Sequence, residues 1–304
     1  PLCCAVCVKA DREQAAEGGH MARVIRARKA GFCMGVALAL RKLDKAVESC
    51  PRGAVATLGE IIHNPQVLEE YAAQGVSCLD SPEDVQPGQV VLIRAHGVPR
   101  ETEAVLRGRG ARVIDATCPR VKAAQMAIAG ATADGSTLLL YGEAEHPEVK
   151  GLLSYADGPR YVFADTEELA RVLAAPKGGG EIVLAAQTTQ DRRQFEALRA
   201  GLDQHMDTSV RVLDTICDAT RQRQEEARKL SERVDAMVVA GGRSSGNTRR
   251  LAELAARRVP TFLVETAEEL KPENFAGFSV IGLTAGASTP KRLVDAVEKR
   301  LSGF

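Results

Sequence analysis

The chain is built on one pattern used three times. ARVIDATCPRVKAAQ (111–125) and VRVLDTICDATRQRQ (210–224) align without a gap: an apolar strand, an Asp, two residues, a Cys, then a helical stretch. ARVIRARKAGFC (22–33) is a looser third copy with a longer turn. A repeat constrains the fold more than any single motif, because each copy must form an equivalent unit with its special residue in the same place. Cys33, Cys118 and Cys217 each fall where a strand hands over to a helix.

The copies continue in step. A second strand ends in a polar loop in VATLGEIIHNP, TLLLYGEAEHPEV and AMVVAGGRSSGNT, placing His63, His146 and Asn247 at nearly equal distances from their cysteines. A third block (VSCLDSPEDV, RYVFADTEEL, TFLVETAEEL) is a strand followed by an acidic first helical turn. The fourth (VVLIRAHGV, IVLAAQTT, SVIGLTAGAS) is again an apolar strand running into a small polar loop. Apolar, β-branched strands alternating with helical patterns predict βαβ units and parallel sheets. The fold class expected is therefore α/β: three similar small parallel-sheet domains packed around a pseudo-threefold axis. Right-handed crossovers put every loop that follows a strand on one edge of its sheet, the edge where such folds bind ligands. The division expected is an N-terminal extension over 1–22, poorly ordered, then α/β domains over 23–117, 118–216 and 217–304.

Composition excludes several partners. Forty basic and forty acidic side chains give zero formal charge, so there is no electrostatic footprint for nucleic acid. No apolar run approaches the roughly 18 residues of a membrane span, and PLCCAVCV is too short and lacks a basic start for a secretory signal. The expected location is the cytoplasm, where eight cysteines read as reduced thiols or metal ligands rather than disulfides. Cys3, Cys4 and Cys7 contain a CxxC but have no second pair at zinc spacing, which favours a frayed terminus. GGRSSGNT lacks the Lys-Ser/Thr ending of a P-loop and does not fit GxGxxG. Cys50 and Cys78, outside the repeat register, read as ordinary small apolar residues.

Three thiols converging from three units form a ligand set. A helix N-terminus favours the thiolate that binds metal. Three thiolates without a fourth are compatible with zinc at an open site or with an iron–sulfur cluster that leaves one iron open. The cysteines are too far apart in the chain to match short ferredoxin or zinc-ribbon runs, so the repeat register carries this reading. His63, His96 and His146 sit in strand-end loops, joined by Gln187, Thr188, Ser245, Asn247 and Ser288 and by glycines that expose backbone N–H groups. That is a polar nest for phosphate or diphosphate. Glu148, two residues past His146, can act as a proton source, whereas Glu143 and Glu145 read as solvated helix-start acids.

GFCMGV, EIIHNP, RAHGV, DATCP, AEHPEV, AQTT, SSGNTRRLAELA and TAGAS, in that order, resemble the 4-hydroxy-3-methylbut-2-enyl diphosphate reductase family, from about Val24 to the C-terminus. The resemblance implies an oxidoreductase of the non-mevalonate isoprenoid pathway that removes an allylic hydroxyl as water with two electrons and two protons. It implies a pseudo-threefold trefoil of the three α/β domains around a central metal cluster, one [4Fe–4S] cluster held by Cys33, Cys118 and Cys217 with one open iron. It implies diphosphate binding by His63, His96, His146, Thr188, Ser245, Gly246, Asn247 and Ser288. Glu148 matches the family's proton donor, with Thr188 on the proton path. The implied partners are the allylic diphosphate and reduced ferredoxin or flavodoxin, with no nucleic acid and no membrane. Three features depart from the family: Glu143 stands where many members carry a histidine, DATRQRQ follows Cys217, and the N-terminal extension has no counterpart. Two rivals are a redox or iron sensor of the same fold and a zinc-dependent hydrolase using the same thiolates.

Overall fold

The computed structural model describes residues 22–174, 181–205 and 210–304. The N-terminal cysteines Cys3, Cys4 and Cys7 lie outside the described residues. Strand β1 (Arg23–Arg26) leads through the Cys33 turn into α1 (Met34–Ser49). There follow β2 (Val55–Leu58), α2 (Pro65–Ala73), β3 (Ser77–Leu79), β4 (Val90–Ile93), α3 (Arg100–Gly108) and β5 (Arg112–Asp115). The second copy runs α4 (Pro119–Ala131), β6 (Thr137–Tyr141), α5 (Pro147–Leu153), β7 (Arg160–Phe163), α6 (Thr166–Ala174), β8 (Ile182–Ala186), α7 (Arg192–His205) and β9 (Val210–Val212). The third runs α8 (Asp218–Ser231), β10 (Ala236–Ala240), α9 (Gly246–Ala256), β11 (Thr261–Val264), β12 (Val280–Ala285) and α10 (Lys291–Leu301).

These strands form three four-stranded sheets, ordered β3-β2-β4-β5, β7-β6-β8-β9 and β11-β10-β12-β1, and every pairing is parallel. The three orders are one topology repeated. Residues in β2, β4, β6, β8 and β10 are buried throughout, as expected of central parallel strands covered on both faces. Edge strands β1 and β5 instead begin exposed and are only half-buried beyond that. Leu139 of β6 is fully buried, and truncation to Ala would cost about 2–5 kcal/mol.

One strand is grouped differently from the sequence division. Arg23–Arg26, placed by sequence with 23–117, pairs with β12 in the third sheet. The physical reason is cyclic: each cysteine is preceded by the outer strand of the preceding unit, so the strand before the first cysteine completes the last unit. The chain thereby closes on itself.

Candidate active site

The three cysteine turns are tied down identically. The amide of Cys33 donates to the carbonyl of Ala287 at 3.0 Å, that of Cys118 to Ala95 at 2.9 Å, and that of Cys217 to Thr188 at 3.0 Å. Each acceptor lies in the loop after the fourth-block strand of the neighbouring unit, so sheet register fixes where each thiol sits. Cys33, Cys118 and Cys217 are the N-caps of α1, α4 and α8, and all three are free thiols. All three line one cleft. Gly35 allows the close approach: a Cβ there would come within 2.4 Å of the Cys118 Sγ. Burial pushes the Cys118 thiol up; the backbone N–H groups of Arg120 and Val121 oppose this, and negative charge on Cys33 and Cys217 adds to it. Thiolates that crowd one another are relieved by a shared soft cation.

The same cleft collects the histidines. The rings of His63 and His96 stack at 4.4 Å, and His146 meets them edge-on at 5.5 and 5.4 Å. Their ligand atoms lie within 4.8 Å of one another, a spacing that also fits a metal ion. His146 caps α5 by accepting the Glu148 amide on Nδ1 at 3.1 Å, which leaves the Nε2 proton free for a ligand. Burial first, and then the neighbouring His63, lower the His146 pKa to about 4 against the opposing pull of the Glu143 carboxylate. Burial also pulls His96 well below its ordinary value, with His63, His146 and Arg94 adding to the effect. His63 is held from the other side: its Nδ1 lies 2.8 Å from the Glu60 carboxylate. That hydrogen bond lowers the Glu60 pKa, although burial opposes it.

Around the imidazoles stand Ser245 and Gly246 at the start of α9, then Asn247, Thr188 and Ser288. The Ser288 hydroxyl donates to the His63 carbonyl at 2.9 Å, joining the first and third units. His63 Nε2, His96 Nδ1 and Asn247 Nδ2 are buried and have no partner among the described residues. Buried polar atoms of this kind cost free energy unless a ligand meets them. With the positive N-termini of α2 and α9 alongside, the preferred ligand is an anion. Glu148 lies in the same cleft and is 1% exposed. Burial raises its pKa, while the amide and hydroxyl of Thr188 pull it back down; the amide donates to Oε1 at 2.6 Å.

Every candidate residue named from the sequence therefore lines this cleft, with one exception. Gln187, expected in the polar nest, is fully buried behind the wall, where its Oε1 accepts from the Glu143 amide at 3.2 Å. Glu143 is not the solvated acid expected. It bridges from the second unit to Arg249 at 2.7 Å and Arg250 at 2.9 Å on α9. Burial pushes its pKa up, but the two arginines outweigh that and hold it below the usual carboxylate range. Arg223 was missed because its contact reaches a distant segment with no local pattern, whereas Glu60, three residues before His63, and Arg94, three before Gly97, make contacts within their own loops that the local spacing could have suggested.

The fold and cleft define a class: a three-unit α/β protein whose one cleft brings together three free thiols, three histidines and a buried acid. Comparison with known proteins narrows this. Residues 24–302 match the LytB protein family model, and the chain belongs to that family. A relative from Desulfovibrio desulfuricans, named 4-hydroxy-3-methylbut-2-enyl diphosphate reductase, is 55% identical over 92% of this chain and 99% of its own. One of the same name from Aquifex aeolicus is 40% identical over 92% of this chain and 96% of its own. A solved (E)-4-hydroxy-3-methyl-but-2-enyl diphosphate reductase, described as the terminal enzyme of the non-mevalonate pathway, superposes with TM-score 0.66 at 39% identity, covering 93% of this chain and 100% of its own. The reductase structure from Plasmodium falciparum gives TM-score 0.86 at 22% identity over 91% and 87% of the two chains, a likeness of fold. Among the described residues, no helix is long and apolar enough to cross a membrane.

Proposed function

We propose that this chain converts (E)-4-hydroxy-3-methylbut-2-enyl diphosphate to isopentenyl and dimethylallyl diphosphate. The allylic hydroxyl leaves as water, at a cost of two electrons and two protons. One observation carries the reading: three repeat-equivalent thiols share a single cleft with partnerless, buried anion-binding atoms and a buried acid. A sensor would have no use for the anion site.

The donor set fits the cofactor implied by the family. Three free thiols at helix N-termini, brought together by Gly35, suit a [4Fe–4S] cluster that keeps one iron without a protein ligand. When bound, the cluster supplies electrons singly and a Lewis-acidic iron.

The chain's own residues do the remaining work. His63, His96, His146, Ser245, Asn247 and Ser288 hold the diphosphate, with the Gly246 N–H at the α9 N-terminus. His146 donates through Nε2 as a neutral ring. Glu148, whose burial favours the protonated form, holds the proton that the departing hydroxyl needs. Thr188 touches both that carboxyl and the Cys217 turn, so the acid is positioned against the redox end of the cleft. Reduced ferredoxin or flavodoxin supplies the electrons, and the cytoplasm is the location. The test is anaerobic incubation with the allylic diphosphate and a reduced viologen dye. Both diphosphate products should form; a cluster-loaded protein that forms neither would refute the reading.

A further inference from the structure

One buried charge has no role in the chemistry above. Arg223 lies on α8 and is 5% exposed. Its Nη2 donates to the Gly31 carbonyl of the first cysteine turn, far away in sequence. Its Nη1 donates to the Ala219 carbonyl at 3.5 Å, and its Nε–H is buried without a partner among the described residues. Two turns of α8 therefore grip the strap that leads to Cys33. Glu226 accepts the amides of Arg28 at 2.7 Å and Lys29 at 2.9 Å, and Arg223 holds Gly31 just beyond. Gly31 has φ +109°, a conformation that side-chain-bearing residues rarely adopt. Its carbonyl is therefore fixed by backbone shape on one side and by Arg223 on the other.

A buried guanidinium needs compensating negative charge. Among the described residues no carboxylate forms an ion pair with Arg223. The Glu226 carboxylate one turn further along is already engaged by the two amides. The carbonyl that Arg223 grips lies two residues before Cys33, and Arg223 itself stands on the helix capped by Cys217, so the buried cation is held beside the cysteine turns of two different units.

We propose that Arg223 is the buried counter-ion of the redox group, raising the reduction potential of the cluster held by Cys33, Cys118 and Cys217 while it anchors the Cys33 turn. This rests on the cluster reading above. Adding an electron makes a thiolate-bound cluster more negative, so a fixed nearby cation stabilises the reduced state more than the oxidised one. An arginine serves because it does not deprotonate when buried, so its charge is the same in both redox states. Arg223 does not touch the substrate cleft; it is a positioning and charge-setting residue.

The experiment is a potentiometric titration of the anaerobically reconstituted protein, followed by cluster absorbance and electron paramagnetic resonance. Arg223→Met, which keeps length but removes charge, should make one-electron reduction at least tenfold less favourable, a shift of about 59 mV to more negative potential. Arg223→Lys, which keeps the charge, should stay within about threefold of the unsubstituted protein, because the same electrostatic argument applies to it. Arg223→Gln carries the same expectation as Arg223→Met if the methionine variant does not fold. An uncharged variant with an unchanged potential would overturn the inference, as would equal shifts in Lys and uncharged variants. Unsubstituted protein that takes up no [4Fe–4S] cluster would instead overturn the cluster reading on which this rests.

Discussion

Glu148→Gln separates chemistry from structure in one substitution. Gln keeps the shape of the side chain, and its oxygen can still accept the Thr188 amide that reaches Glu148 at 2.6 Å. It cannot deliver a proton as an acid. General acid help is typically worth about 10²–10⁴ in rate, so kcat should fall by that range while KM and cluster content change little. Stability should move the other way. Burial lifts the Glu148 pKa above its ordinary 4.5, so the folded protein holds this proton more tightly than the unfolded chain does. Above the raised pKa, the folded state carries the full cost of an ionised buried acid, and that cost disappears as pH falls below 4.5. Gln mimics the protonated form. The variant should therefore melt higher than the unsubstituted protein at pH 8, with the gap closing toward pH 4.5. Anaerobic steady-state kinetics and thermal melts at several pH values read both effects. A kcat within about threefold of the unsubstituted protein would refute the proton-donor role. A lower melting temperature at pH 8 would refute the account of the buried carboxyl.

Other substitutions probe the remaining parts. His63→Ala should raise KM by about ten- to a hundredfold, the worth of one hydrogen bond to a charged group; a loss confined to kcat would place His63 elsewhere in the reaction. His146, with its pKa near 4, stays unprotonated in the fold while the unfolded chain takes up a proton below 6.5. Stability should therefore fall as pH drops from 6.5 toward 4, and His146→Asn should flatten that slope in denaturant titrations; an unchanged slope would speak against the buried neutral ring. Glu143→Gln breaks the double ion pair to Arg249 and Arg250, at a cost of up to about 1 kcal/mol in chemical unfolding. It should also weaken diphosphate binding by loosening the start of α9, and a variant unchanged in both respects would contradict this.

The cleft was legible in sequence because of the repeat. Cys33, Cys118 and Cys217 share one register, and sheet topology carries equal registers to equal positions, as the matching bonds to Ala287, Ala95 and Thr188 show. The strand pattern was equally plain, since central parallel strands must be apolar throughout. What the repeat does not encode is which unit touches which. The pairing of Arg23–Arg26 with β12, the bridge from Glu143 to α9, and the reach of Arg223 to Gly31 all join distant segments. Glu143 looked like a solvated helix-start acid because its partners lie on another unit. Gln187 looked like a ligand because it adjoins Thr188, yet successive side chains leaving a strand point in opposite directions.

The central claim is that three thiols from three equivalent turns hold one redox group. Its most direct test is the iron and acid-labile sulfide content of anaerobically prepared protein and its cysteine variants. About four of each per chain are expected in the unsubstituted protein, and in Cys50→Ser and Cys78→Ser, with a brown colour lost in air. Cys33→Ser, Cys118→Ser and Cys217→Ser should each lose or destabilise that content. A Cys118→Ser protein with undiminished iron and sulfide, or an unsubstituted protein that binds zinc in their place, would contradict the account.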